Sequence, residues 1–296
     1  MTKPYQAIDD VAYHECEGCK SLFADPNFLN DMDSGKGLSY ASTYWESELY
    51  SARERSYGQS INRIAETLFY ARIPVNNFID IGTGPGFLLD AISQLIPENR
   101  DIFHGSELFP PAPNQRSQHP NYWVGHIRDM QVSFDAGVCI EVIEHLTPKM
   151  LDDLASQLAE RSNDGAIYYF GSGQPEYVKN EDPAYLDPKG RGHIVSYSVS
   201  GLANIFNRHG FNVIPLPGRG WAFLCEYGPI QIHGTEDLLK RLWTPNIRNV
   251  ETFFKSDFGF FLKTCGLESA RCYLEHSTAI ERTNWAISLK KLLNGG

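Results

Sequence analysis

Three stretches carry residues whose types and spacing could do chemistry. The first is Phe78-Ile-Asp-Ile-Gly-Thr-Gly-Pro-Gly-Phe-Leu-Leu-Asp90, where a strand-like run meets Gly82, Gly84 and Gly86 and then an amphipathic helix. Glycines at such a turn allow positive φ and let a ligand lie directly against the main chain. A dinucleotide turn reads G-x-G-x-x-G and holds a pyrophosphate. Here the third glycine comes one residue early, and Asp80 would repel a pyrophosphate; an acid there suits a ligand with a cationic amino-acid end. The second stretch, Asp101-Ile-Phe-His-Gly-Ser-Glu107, ends a short strand in an acid 25 residues beyond Gly82. In α/β nucleotide sites an acid so placed accepts hydrogen bonds from ribose hydroxyls. The third is Glu141-Val-Ile-Glu144-His145, at the end of another apolar strand, with His193 following later. Imidazoles titrate near neutrality and can take a proton from an attacking group.

Asp80, Gly82, Gly84 and Gly86 match (D/E)-x-G-x-G-x-G, motif I of the class I S-adenosylmethionine (SAM) methyltransferases, which this chain resembles. Phe134-Asp-Ala-Gly-Val-Cys-Ile-Glu-Val-Ile-Glu-His-Leu146 resembles the fourth-strand motif of the small-molecule and sugar members, F-D-x-V-x-x-x-E-V-x-E-H-L. His193, then Ser198 or Ser200, then Gly210-Phe-Asn-Val213 is similar to their H-x-x-x-x-S…G-F-x-V pattern. The resemblance spans residues 13 to 227. It implies SAM as cofactor, bound by Asp80, Gly82, Gly84, Gly86 and Glu141, with Glu107 on the ribose. It also implies methyl transfer to a small molecule or sugar, such as a nucleotide-linked sugar or glycan intermediate. His145 or His193 would then be the base, with Glu144 orienting one of them. Two other readings stay open. Glu141, Glu144, His145 and His193 resemble the E-x-x-E-H…H set that holds a divalent ion in some 2′-O-methyltransferases, a set suited to Mg²⁺ or Mn²⁺. Alternatively, the chain is a catalytically silent SAM-binding or scaffold subunit whose helical tail does the work. Family members often touch the adenine amino group with an acid after the third strand. This sequence has His126 there and Asp129 slightly later, leaving Ile127 or Met130 for apolar contact.

The elements that must position these groups are legible as periodic runs. Ile61, Ile64, Ala65, Leu68 and Phe69 mark one helical face, and Phe87, Leu88, Ala91, Ile92, Leu95 and Ile96 a second, ended by Pro97. Asn121 to His126 reads as the third strand, Thr147-Pro148 as the start of a helix, and Ala166 to Gly171 as the fifth strand. Ser172 to Gly192 reads as a long polar insertion of the kind that forms lids. Phe211–Leu216 and Trp221–Tyr227 would close the sheet as a hairpin-like pair. The expected fold is α/β, a Rossmann-like seven-stranded, mostly parallel sheet with helices on both faces and a C-terminal helical extension. We divide the chain into an irregular or helical segment (1–58), a SAM-binding domain (59–229) and the extension (230–296). In the extension, helical stretches cover Glu236–Trp243, Ile247–Thr264 and Thr278–Leu293; covering the substrate side, pairing two subunits and docking on a neighbouring enzyme are the open uses, with homodimer pairing the simplest.

Composition bounds the partners. In 296 residues, 26 Lys and Arg stand against 36 Asp and Glu, a net charge of −10, so the expected partner is a small molecule and not nucleic acid. There is no run of 18 apolar residues and no apolar signal core after Met1, which predicts a cytoplasmic protein without a membrane span. Six scattered cysteines read as reduced thiols. Cys16-x-x-Cys19 looks like one knuckle of a zinc ribbon, but four ligands are needed, and His14 cannot supply the rest, so we expect a metal-free remnant. Tyr44 and Trp45 are candidates to close over the cofactor, with plain packing as the simpler role.

Overall fold

The computed structural model describes residues 1–36, 42–229, 235–253, 255 and 257–293. Its elements run β1 (Thr2–Ile8), β2 (Val11–Cys16), β3 (Leu22–Ala24), α1 (Pro26–Asp33), α2 (Ser42–Arg55), α3 (Ile61–Tyr70), β4 (Phe78–Ile81) and α4 (Phe87–Leu95). There follow β5 (Phe103–Glu107), β6 (Tyr122–Val124), β7 (Phe134–Ile140), α5 (Pro148–Glu160), β8 (Ser162–Gly171), α6 (Pro175–Asn180), β9 (Val195–Ser196) and α7 (Val199–Phe206). The chain ends with β10 (Phe211–Pro215), β11 (Ala222–Tyr227), α8 (Thr235–Trp243), α9 (Ile247–Glu251) and α10 (Asp257–Leu293).

Seven strands form the central sheet in the order β10-β11-β8-β7-β4-β5-β6. The five from β6 to β8 are mutually parallel, and β11 inserts antiparallel between β8 and β10, so the closing pair anticipated from the sequence is present. Alternation along the strands feeds two cores. Phe170 and Phe223 point to the layer containing Leu151, Ala155 and Leu202 of α5 and α7. Tyr169 and Leu224 point to the layer containing Ile64, Leu88 and Leu262 of α3, α4 and α10. The strand order reverses beside β4: the chain goes outward to β5 and β6 and then returns to β7 on the other side. In an open α/β sheet that switch point leaves a crevice at the strands' carboxyl ends.

Three expectations are corrected. The amino-terminal segment is not irregular: β1, β2 and β3 form an antiparallel sheet that recruits β9 as its fourth strand. Val11, Tyr13 and Glu15 alternate inward, and the turn before them uses Asp9 and Asp10, both at positive φ, the backbone state of a two-residue hairpin. The 172–192 insertion is not an open lid, because Val178, Tyr185 and Leu186 are buried in the core and α6 lies within it. The break expected between Thr264 and Thr278 is absent, since α10 is one helix of 37 residues. Gly266 permits close contact there: a Cβ at 266 would stand 2.4 Å from the Ala65 Cβ of α3. Gly266→Ala should therefore force α10 away from α3 and destabilise the protein by about 1–3 kcal/mol, measured as a lower urea midpoint with an unchanged slope.

Candidate functional site

A cleft of about 640 Å³ opens at the crevice, a volume suited to a small-molecule ligand. Its floor is the turn after β4. Gly82 has φ +67° and Gly86 φ +79°, and a Cβ at either position would lie within 2.7 Å of a neighbouring side chain, Val142 for Gly82 and Ser117 or Tyr122 for Gly86. Neither the conformation nor the space admits another residue. Gly86 is the N-cap of α4 and stands behind the cleft wall, whereas Gly82 and Gly84 line it. Tyr122 secures the turn by donating its hydroxyl to the Gly84 carbonyl at 2.7 Å.

Asp80 and Glu107 flank this floor. Asp80 accepts the Thr83 hydroxyl at 2.6 Å. Burial pushes its carboxyl up to about 7, with the negative charge of Glu107 adding to the effect. Glu107, at the end of β5, accepts the Gly84 N–H at 2.8 Å and the Phe109 N–H at 2.9 Å. Burial raises its carboxyl as well, partly offset by those donors. Two acids thus stand dehydrated around a backbone without side chains.

Glu141 follows β7 at φ +56°, a conformation costly for a residue with a Cβ. Its carboxyl is pushed up to about 8 by burial and by the neighbouring Glu144, and Arg191 approaches it at 3.8 Å. His145 lines the cleft, with Nδ1 3.0 Å from the Gly192 carbonyl. Because a carbonyl only accepts, that nitrogen carries the proton, and Nε2 is the proton-accepting one.

His193 and Glu144, in contrast, are buried and do not line the cleft. The His193 ring lies edge-on to His145 at 4.9 Å between centroids, and its Nδ1 contacts the Tyr185 carbonyl at 2.7 Å. Burial pushes the His193 imidazole down to about 3. Its Nε2 is 3.8 Å from Glu144 Oε1, and neither Glu144 oxygen has a hydrogen-bond partner of good geometry. Ligand atoms of Glu144, His145 and His193 lie within 4.8 Å of one another, the one group of three such residues among those described.

The structure therefore brings Asp80, Gly82, Gly84, Glu107, Glu141 and His145 to one cleft, with Gly86, Glu144 and His193 behind its walls. His126 contacts Gln157 of α5, and Ile127 and Met130 are buried away from the cleft. Leu108 and Phe109 supply apolar lining on the Glu107 side instead. The sequence reading missed Glu48 and Arg55 of α2, which line the cleft as a pair at 3.1 Å; the only available signal was their seven-residue spacing in a charged helix. Trp45 lines the cleft over Gly84, while the Tyr44 side chain lies outside the described residues. Cys16 and Cys19 are free thiols, and Cys16 is lowered by hydrogen bonding from Cys19 and the Gly18 backbone.

Among solved structures, the chain is similar to DesVI of Streptomyces venezuelae, at 16% identity and a TM-score of 0.46 over 64% of this chain and 99% of that one. It is also similar to SAM-bound CalS10, an amino pentose methyltransferase from Micromonospora echinaspora, at 16% and 0.45 over 62% and 96%. The sugar N-methyltransferase KedS8 from Streptoalloteichus matches at 13% and 0.46 over 62% and 93%. No curated protein matches the sequence. The model of a family described as "Methyltransferase domain" matches residues 50–216, more than half of the chain. With that match, the strand order and the glycine turn after β4, the chain belongs to the methyltransferase domain family and is a class I SAM-dependent methyltransferase.

Proposed function

We propose that the protein methylates a small molecule or sugar, with His145 as the general base. The observation that carries this reading is the cleft itself: Asp80, Glu107 and Glu141 converge there with carboxyls raised by burial, so a cationic ligand would relieve them. SAM, when bound, supplies an electrophilic methyl carbon on a sulfonium and a cationic amino-acid end. Asp80 would hold the ammonium, and Glu107 would accept the ribose hydroxyls. Gly82 and Gly84 present bare backbone on which the nucleoside can lie. Trp45 and Phe109 line the cleft and would exclude water from a bound methyl donor, which favours an in-line displacement. His145 Nε2 would take the proton that the acceptor gives up, while the methyl carbon comes from SAM and the carbon–sulfur pair stays on sulfur. The test is transfer of labelled methyl from SAM to a panel of hydroxy and amino sugars and small phenols. Turnover on a member of the panel supports the reading, and labelling confined to macromolecular acceptors contradicts it.

A second reading is favoured by one observation, the clustering of the buried Glu144 carboxyl with His145 and His193, whose ligand atoms lie within 4.8 Å of one another. These three residues fit a divalent cation such as Mg²⁺ or Mn²⁺, with Glu141 nearby. A cation there would act as a Lewis acid toward an acceptor oxygen. We expect turnover to be unchanged by excess chelator under the base mechanism; loss on chelation and recovery on adding Mg²⁺ or Mn²⁺ would select the metal reading.

A further inference from the structure

The segment Gly192–Ile194 holds His145 from behind, and two of its own anchors come from the far end of the chain. The Gly192 carbonyl faces His145 Nδ1 at 3.0 Å, and the His193 ring packs on the His145 ring. The Ile194 N–H donates to the Glu144 carbonyl at 2.9 Å, tying this peptide to the turn that carries His145. The Asp187 carbonyl accepts the His193 N–H at 2.9 Å and the Tyr185 carbonyl meets the His193 Nδ1 at 2.7 Å, and further contacts are made by residues 11–24. The Tyr13 hydroxyl donates to the His193 carbonyl at 2.7 Å in a buried bond. The Ala24 N–H donates to the Ile194 carbonyl at 2.9 Å, and β3 pairs with β9 through Leu22–Ser196 and Phe23–Val195. Ser200 adds a hydroxyl to the Cys19 carbonyl at 2.8 Å, and Lys179 of α6 reaches Glu15 at 2.8 Å. The same small sheet therefore grips the insertion at α6 and the strand after His193.

We propose that the amino-terminal sheet is part of the catalytic apparatus and that Tyr13 is a positioning residue acting through His145. It never reaches the cleft, being 1% exposed and absent from the lining. Its hydroxyl fixes the His193 carbonyl, and so the plane of the His193–Ile194 peptide, which adjoins at the His193 Cα the Gly192–His193 peptide whose carbonyl meets His145 Nδ1. Removing the hydroxyl leaves a buried carbonyl without its donor, and the peptide, then held on this side only by the Ile194 N–H to the Glu144 carbonyl, can tilt. A base displaced by a fraction of an ångström loses alignment with the acceptor, whereas Asp80, Glu107 and the glycine turn keep their own hydrogen bonds.

The inference rests on His145 being the base, and a double-mutant cycle on the full-length protein separates the two. Tyr13→Phe should lower kcat roughly ten- to hundredfold with SAM affinity unchanged by calorimetry. In a His145→Ala background the same substitution should have no further effect on kcat. Ser200→Ala, which loosens the same junction without touching His193, should leave kcat near the parent value. Should Tyr13→Phe fold poorly, Ala24→Pro removes the neighbouring anchor at Ile194 and enters the same cycle with the same expectation. An unchanged kcat in Tyr13→Phe, or a loss that persists in full without His145, overturns the positioning role. An unchanged kcat in His145→Ala alone overturns the base assignment, and with it this inference.

Discussion

Asp80→Asn is expected to make the ligand-free protein more stable and nearly unable to bind SAM. The carboxyl is 8% exposed and raised from 3.8 to about 7 by burial. A carboxyl whose folded value lies above its unfolded value disfavours folding wherever it must ionise, so the penalty is absent below about pH 4, grows to pH 7 and is constant above. Asparagine keeps an acceptor for the Thr83 hydroxyl and carries no charge. At pH 8 the variant should gain about 1–4 kcal/mol, and at pH 3.5 nothing, measured by urea unfolding at both pH values. Binding should move the other way. Loss of one member of a buried charged pair costs about 2–5 kcal/mol, a weakening of roughly thirtyfold or more. For the parent, affinity should fall as pH drops from 8 to 6, because Asp80 must lose a proton to pair with an ammonium. Calorimetry in buffers of different ionisation enthalpy should register that proton as released.

The second large effect is expected at His145. His145→Ala should lower kcat by about 10²–10⁴ with little change in SAM affinity, because the Asp80–Thr83 and Glu107–Gly84 hydrogen bonds that shape the cleft floor do not involve it. Single-turnover measurement with saturating SAM separates chemistry from product release. A kcat within threefold of the parent, taking threefold as about 0.65 kcal/mol of barrier, would remove the base from the mechanism.

What could be read from the sequence follows a physical division. The gathering of Asp80, Gly82, Gly84, Glu107 and Glu141 at one cleft was legible because each lies at or just after the carboxyl end of a parallel strand, β4, β5 or β7. The seven-stranded sheet was legible because its central strands β4 and β7 and the second half of β8 are buried on both faces and its helices repeat at 3.6 residues. His193 was expected as a candidate base yet is buried behind His145, since motif spacing does not say how the 172–192 insertion folds inward. Val178, Tyr185 and Leu186 draw that segment into the core, and their apolar positions are too sparse to show a period. The amino-terminal hairpin was missed because its turn is a bare Asp9-Asp10 pair and its outer strand is largely exposed. Gly266 sat where a break was expected but lies inside a helix, where the absence of a side chain serves packing against Ala65.

The central claim is that SAM occupies the cleft between Asp80 and Glu107, over Gly82 and Gly84. Titrating SAM into the parent and into Glu107→Ala by calorimetry tests it most directly, since Glu107 touches Gly84 and Phe109 within that cleft. A saturable one-to-one isotherm for the parent, weakened at least roughly tenfold in Glu107→Ala by loss of charged hydrogen bonds, is the expected result. A parent that takes up no SAM, or a Glu107→Ala variant that binds it as tightly, would contradict the account.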